Sequence, residues 1–155
     1  MMGFEEGRLR LTGLLGPEVL RQMLGHITPA GWITRRNGGG EVETLDPARH
    51  GQVTGSVCDY LSHPALLSDL SLAAAIELSH FAGSVVRLAP ARSFTLRHAH
   101  FPLALLVNLS DRDFDRWSLS PGDAEVIDLR AGQSVDVPPQ SASMLAIDGF
   151  FVARG

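Results

Sequence analysis

Two histidines separated by a single residue are the strongest chemical signal in this sequence. His98 and His100 lie in the segment Ser84–Asn108, which is rich in strand-forming residues. Side chains at positions i and i+2 of a strand point to the same face, so both imidazoles would point the same way. Two same-facing imidazoles in an all-β pocket are typical of the first half of a metal site. The pair therefore predicts a metal site only if another part of the chain supplies a third ligand.

The strands that would hold these histidines belong to the second half of the chain. From Ser84 onward the pattern is that of short strands separated by turns rich in Pro, Gly or Asp. Many short strands at near-even spacing are typical of a jelly roll. We therefore expect a mainly β fold with an α lead-in, namely a double-stranded β-helix of the cupin type. The expected strands are Val85–Leu88, Phe94–Arg97, Leu103–Asn108, Trp117–Leu119, Ala124–Leu129, Ser134–Val137, Met144–Ile147 and Phe150–Val152.

A smaller strand-helix-strand segment precedes this core. A helix begins at Pro17, because proline suits the first turn and apolar residues then recur on one face. A second helix is expected over Leu66–Phe81, with Gly83 ending it. Asp46–Ser56 has no clear period, which predicts a loop. The expected lead-in strands are Arg8–Thr12, a strand starting at Trp32, and Glu41–Leu45.

Length, charge and composition narrow the domain count and the function classes. The 155 residues predict a single domain, 1–155, in which 1–83 is the supporting lead-in and 84–155 the β-helix core. The net charge of −4 argues against a nucleic-acid partner, and no apolar run is long enough to span a membrane. The chain has 13 arginines and no lysine, as is typical of a GC-rich bacterial genome, and this excludes lysine Schiff-base chemistry. A single cysteine and no visible signal peptide predict a cytoplasmic protein.

Short segments spread over most of the chain carry a family resemblance. Val86–Ala91 is similar to an Arg-Leu-x-Pro-Gly strand, and His100-Phe101-Pro102 to a His-aliphatic-Pro strand. Gly122–Leu129 and Met144–Asp148 are similar to the last core strands of the same family. These segments resemble the aspartyl/asparaginyl β-hydroxylases, which are non-haem Fe(II)- and 2-oxoglutarate-dependent oxygenases. The resemblance implies a double-stranded β-helix with an iron and a 2-oxoglutarate site.

The same resemblance implies that the iron ligands are incomplete. The family carries a His-x-Asp or His-x-Gly motif, then a long loop, then the His-aliphatic-Pro strand, whereas here only twelve positions separate Pro90 from Pro102. Two registers stay open. Either His100 fills the His-aliphatic-Pro position, or His98 is the first ligand and His100 replaces the carboxylate. Both registers leave the usual two-histidine, one-carboxylate set without its carboxylate.

The later positions of the family pattern also differ. The resemblance places Gln133 where the family has its distal metal histidine, and an amide is a poor Fe(II) ligand. It places Ser143, or the neighbouring Ala142, where an arginine would pair with the co-substrate carboxylate, a bidentate pair that serine cannot make.

Three further residues are candidates for ligand binding. Arg87 and Arg97 would form an anion-binding pocket if they face inward, and would be ordinary strand arginines if they face outward. Trp117 is expected to pack first, and to contact a ligand only if it lines the mouth of the barrel.

These observations favour a protein with an eroded metal and 2-oxoglutarate site. We expect it to bind no cofactor and to act as a non-catalytic binding or regulatory module, for a small carboxylate ligand or a protein partner, and as a homodimer if barrel strands pair. One alternative is an active oxygenase that uses Fe(II) and 2-oxoglutarate at a modified His98–His100 site. Another is a metal-free, cupin-like binder of small carboxylates.

Overall fold

The computed structural model describes residues 3–27, 31–37, 40–91, 94–96, 101–130 and 135–155. Within these ranges the chain forms nine strands and three helices, so it is mainly β. The strands are β1 (Arg8–Leu11), β2 (Trp32–Asn37), β3 (Gly40–Leu45), β4 (Leu78–Leu88), β5 (Phe94–Leu96), β6 (Leu103–Asn108), β7 (Ala124–Asp128), β8 (Val135–Val137) and β9 (Met144–Ala153). The helices are α1 (Pro17–Ile27), α2 (Pro47–Leu61) and α3 (Pro64–Ala74).

Seven of the described strands form one antiparallel sheet in the order β1-β7-β6-β9-β4-β3-β2. The short strands β5 and β8 form a separate antiparallel pair. In the large sheet, β4 and β9 pair over almost their whole length, with Leu78 opposite Ala153 and Leu88 opposite Met144. The β4–β9 ladder is therefore the longest pairing among the described strands, and it runs through position 83, where the lead-in was expected to end.

Both faces of the large sheet are covered, as the sequence of β6 shows. All six residues of this strand, LALLVN, are buried. Because side chains alternate across a sheet, Leu103, Leu105 and Val107 pack with the helices, whereas Ala104 and Leu106 point the other way. A continuous apolar run is what a strand buried on both faces requires.

The second layer of apolar side chains lies between the large sheet and the β5–β8 pair, and we call it the inner layer. Val137 of β8 joins it from the small sheet. Side chains of the segment 109–119 fill it at the β7 side. Its members are Val42, Val86, Leu88, Ala104, Leu106, Phe114, Trp117, Leu119, Ile127, Leu129, Val137, Met144 and Ala146.

The prediction that residues 46–56 form a loop is wrong, because α2 covers most of this segment. Apolar side chains recur at Val53, Val57 and Leu61, a spacing of four that puts them on one face of a helix. Val57 and Leu61 are buried against the large sheet, and Val53 packs beside them. Packing of this stripe accounts for a helix in a segment of low overall hydropathy.

The predicted helix over Leu66–Phe81 is too long. α3 begins after His63, whose Nδ1 accepts a hydrogen bond from the Ala65 N–H at 3.2 Å. It ends at Ala75, which takes the left-handed conformation with φ of 56°. β4 then starts at Leu78, so Phe81 belongs to a strand.

Gly83 does not end a helix but lies in the middle of β4, opposite Gly149 of β9. A Cβ at Gly83 would lie 2.6 Å from the Asp148 carbonyl oxygen and 2.7 Å from Cζ of Phe81. The two glycines therefore let the strands approach under the Phe81 ring, which packs edge-on against Phe151. For this reason β9 continues through Gly149 as one strand, not as the two that the sequence predicted.

No helix in the described part of the chain combines the length and the apolar character needed to cross a membrane.

Candidate functional site

The residues of the predicted metal site follow β5 and precede β8 in sequence. The last residue of β5, Leu96, pairs with the first residue of β8, Val135. His98 and Gln133 are each two positions away from this pair in sequence. His98, His100, Arg97 and Gln133 themselves lie outside the described residues, so their predicted roles stay predictions.

The wall that the large sheet presents to the inner layer is mostly aliphatic. Asn108, at the end of β6, is buried there, and its amide makes three hydrogen bonds. Nδ2 donates to the carbonyl oxygens of Arg112 and Leu119, both at 2.8 Å, and Oδ1 accepts from the Ser110 N–H at 2.8 Å. Asn108 therefore folds the 109–119 segment back over the sheet, and its Nδ2 has no N–H left to donate to a ligand.

Asp148 is a buried carboxylate on this wall that the sequence reasoning missed. Ala146 of β9 belongs to the inner layer, so Asp148, two residues further along, points to the same side. The side chain is 2 % exposed, and Asp148 pairs across the sheet with Ser84 of β4. The Ser84 hydroxyl lies 3.0 Å from that of Thr44. A row of polar residues therefore crosses three adjacent strands of this mostly apolar wall.

The signal for Asp148 was present in the sequence as a single acid within the apolar run Met144–Val152. An acid in such a run is unusual, because buried carboxylates need a partner. Among the described residues, no group of three or more His, Cys, Asp or Glu side chains is close enough to hold a metal ion.

Arg87 takes the outward of the two orientations considered for it. Val86 and Leu88 on either side belong to the inner layer, so the Arg87 side chain points to the opposite face of β4. There its Nη2 contacts Oε2 of Glu43 at 2.6 Å, and its guanidinium lies 4.7 Å from the centre of the Trp32 ring. The structure therefore places Arg87 in a half-exposed cluster away from the inner layer.

Trp117 is in a tight turn, so the strand predicted over Trp117–Leu119 is wrong. Both neighbours, Arg116 and Ser118, are left-handed, with φ of 63° and 53°. Two left-handed residues around one position are incompatible with an extended strand. The turn buries Trp117 in the inner layer with 8 % of the residue exposed.

A partly buried ion pair fixes the Trp117 turn to the sheet. Arg10 of β1 donates to Oε2 of Glu125 through Nε at 3.0 Å and Nη2 at 2.9 Å. The same guanidinium donates to the carbonyl oxygens of Ser118 at 2.8 Å and Trp117 at 3.2 Å. Arg8 adds a second cation, 5.4 Å from the centre of the Trp117 ring. The turn is thus held by arginines of the N-terminal strand, a contact that sequence reasoning did not foresee.

Asp115 fastens the other end of this segment to the connection between β8 and β9. Its Oδ2 accepts from the Ser141 N–H at 2.7 Å, and hydrogen bonds from Ser141 lower the pKa of Asp115. Its own N–H donates to Oε1 of Gln140 at 2.6 Å. Asp115 thus has a structural contact that holds the 109–119 segment to the β8–β9 connection.

No protein-family model matches the sequence, and no curated protein is similar enough to match it. Solved structures do match. One is an oxidoreductase of the 2OG-Fe(II) oxygenase family from Burkholderia pseudomallei, with 10 % identity, a TM-score of 0.69, and coverage of 96 % of this chain and 86 % of that one. Another is a Pseudomonas putida prolyl-4-hydroxylase, with 15 % identity, a TM-score of 0.63, and coverage of 96 % and 94 %. The chain has the fold of the 2OG-Fe(II) oxygenases.

A third structure of this fold is the non-heme alpha-ketoglutarate-dependent epimerase SnoN from nogalamycin biosynthesis. It has 16 % identity, a TM-score of 0.63, and coverage of 94 % of this chain and 77 % of that one. At such identities the likeness shows the fold alone. The expected double-stranded β-helix is thereby confirmed.

Proposed function

We propose that the chain is a non-catalytic binding module with the 2OG-Fe(II) oxygenase fold, and that it binds a small carboxylate without iron. On the motifs Val86–Ala91 and His100–Pro102, we place it nearest the aspartyl/asparaginyl β-hydroxylases within that fold. The observation that carries the proposal is the donor set beside the β5–β8 pair. Residues 97–100 hold three basic side chains and no acid, and residues 131–134 offer the Gln133 amide and the Ser134 hydroxyl but no acid.

This donor set does not fit iron. A site for non-haem Fe(II) uses two histidines and a carboxylate, and neither segment supplies a carboxylate. Asp148 lies on the large sheet, not beside the histidines in sequence. Arginine and histidine together suit an anion, because both donate hydrogen bonds and carry positive charge when protonated.

The test combines ligand binding with turnover. We expect 2-oxoglutarate or succinate to raise the melting temperature with or without Fe(II), because a ligand that binds only the folded state stabilises it. Arg97→Gln should abolish this shift. Arg154→Gln is the matched control, since Arg154 is an exposed arginine whose contact is a 3.5 Å ion pair with Glu77. Succinate formed from 2-oxoglutarate above background in the presence of Fe(II) would contradict the proposal.

The alternative is an active oxygenase with a modified His98–His100 site, and Asp148 is the observation that favours it. Asp148 is a buried acid that the inner wall could offer to such a site. In that case Fe(II) should bind to the wild-type protein and should be lost in Asp148→Asn. If Asp148→Asn leaves Fe(II) binding unchanged, Asp148 has no part in the site.

A further inference from the structure

Trp117 has a hydrogen-bond donor that the folded chain leaves unused. Among the described residues, one buried side-chain nitrogen or oxygen atom has no hydrogen-bond partner, and it is Nε1 of Trp117. Other buried polar side chains of the same region are satisfied. The Asn108 amide has three partners, and Gln140 accepts from Asp115 and donates to the Pro138 carbonyl oxygen at 2.7 Å. A buried polar group without a partner calls for an explanation.

The position of this donor is strongly fixed. Left-handed residues flank Trp117, and Arg10 holds the carbonyl oxygens of Trp117 and Ser118. Left-handed non-glycine residues persist only where the surroundings hold them, and they cluster at ligand-binding sites. Here the ion pair between Arg10 and the buried Glu125 provides that restraint. The chain therefore places the indole in the inner layer at a cost in backbone strain.

The environment of the indole favours a negatively charged acceptor. Arg8 lies 5.4 Å from the ring centre, and a cation near the ring face strengthens the N–H as a donor. Nε1 is itself buried and the indole belongs to the inner layer, so we place its acceptor among the side chains of that layer. The aliphatic side chains there offer none.

We propose that Trp117 is a ligand-binding residue, and that its indole N–H donates to an oxygen of a small carboxylate bound in the inner layer. The inference rests on the proposed function, in which the module binds such a carboxylate. It adds that the neutral indole N–H of Trp117 positions that carboxylate. Phenylalanine at this position would keep most of the ring packing but would lose the hydrogen bond.

The experiment follows the two indole N–H groups by ¹H–¹⁵N spectroscopy on the full chain. Trp32→Phe assigns the signals, because the chain has two tryptophans. We expect the Trp117 signal to move downfield on addition of 2-oxoglutarate or succinate, while that of Trp32 stays in place. In calorimetry, Trp117→Phe should bind at least about ten-fold more weakly, as expected for a lost hydrogen bond to a charged group. Trp32→Phe should bind like the wild type.

Two results would overturn the inference. The first is a carboxylate that binds while the Trp117 signal and the affinity of Trp117→Phe stay unchanged, which would leave the proposed function intact. The second is a Trp117 signal already downfield without ligand and unmoved by it, which would assign the acceptor to a buried water. Failure of the wild-type protein to bind either carboxylate in calorimetry would instead refute the proposed function itself, and the inference with it.

Discussion

The ion pair between Arg10 and Glu125 allows a quantitative test of how the N-terminal strand holds the Trp117 turn. Arg10→Met removes the guanidinium but keeps most of the aliphatic stem. It leaves the Glu125 carboxylate, which is 5 % exposed, without its cation, and it frees the carbonyl oxygens of Trp117 and Ser118. Glu125→Gln instead removes the charge but keeps an oxygen that can accept from Arg10.

The two single changes should differ in size. Removing one partner of a buried ion pair costs about 3–5 kcal/mol, because the other charge is left uncompensated. The Arg10 side chain is 36 % exposed, so water can reach the site and we expect about 2–3 kcal/mol for Arg10→Met. Glu125→Gln should cost only about 1 kcal/mol, since Arg10 keeps its carbonyl partners and its contact with water.

Urea denaturation of the two single variants and the double variant measures these free energies of unfolding. The double variant should be more stable than Arg10→Met alone, because the uncompensated carboxylate is gone. In a chain of this length, the expected loss for Arg10→Met lowers the melting temperature by roughly 5–10 °C. Equal costs for the two single variants, with an additive double variant, would refute the reasoning.

Two further predictions concern the sheet and a charged turn. Gly83→Ala should lower the free energy of unfolding by about 3 kcal/mol, because its Cβ would overlap the β9 backbone, whereas Gly25→Ala, in open space on α1, should raise it by about 1 kcal/mol. Similar effects of the two changes in urea denaturation would contradict the close approach of β4 and β9. Hydrogen bonds from Arg130 lower the pKa of Asp128, so this carboxylate stabilises the fold above the pKa of its unfolded form. The stability difference between wild type and Asp128→Asn should therefore be largest above about pH 5 and shrink below about pH 4. A difference independent of pH would show that the charge of Asp128 does not contribute.

The sequence predicted the parts of the fold whose apolar pattern is long or continuous. The strand Leu103–Asn108 was predicted with the bounds that the structure has, because a fully apolar run has few alternatives between two turns. The helix from Pro17 was predicted from its proline start and its apolar stripe.

The errors have local physical causes. The stripe of α2 has only a few apolar residues in a polar segment, so its periodicity is weak until the sheet is present to cover it. α3 ends at a left-handed residue, Ala75. Alanine rarely takes this conformation, so the sequence gives no sign that the helix ends there. The glycines of β4 and β9 were taken as breaks, whereas they mark a close approach between two strands.

The candidate site was only partly predictable. Trp117 was singled out from the sequence as a candidate. Its unpartnered Nε1 could not be foreseen, because the turn that buries the indole is held by Arg10, which is more than a hundred residues away in sequence. Asp148 was overlooked because inner and outer residues of β9 are distinguished only once its neighbours are known.

The metal content of the protein purified without chelators tests most directly whether the oxygenase fold here lacks its iron. We predict by elemental analysis well under one equivalent of iron per chain, and no increase after incubation with Fe(II) and removal of the excess. About one equivalent of bound iron, lost when His98 and His100 are both changed to alanine, would contradict the account and identify an active metal site.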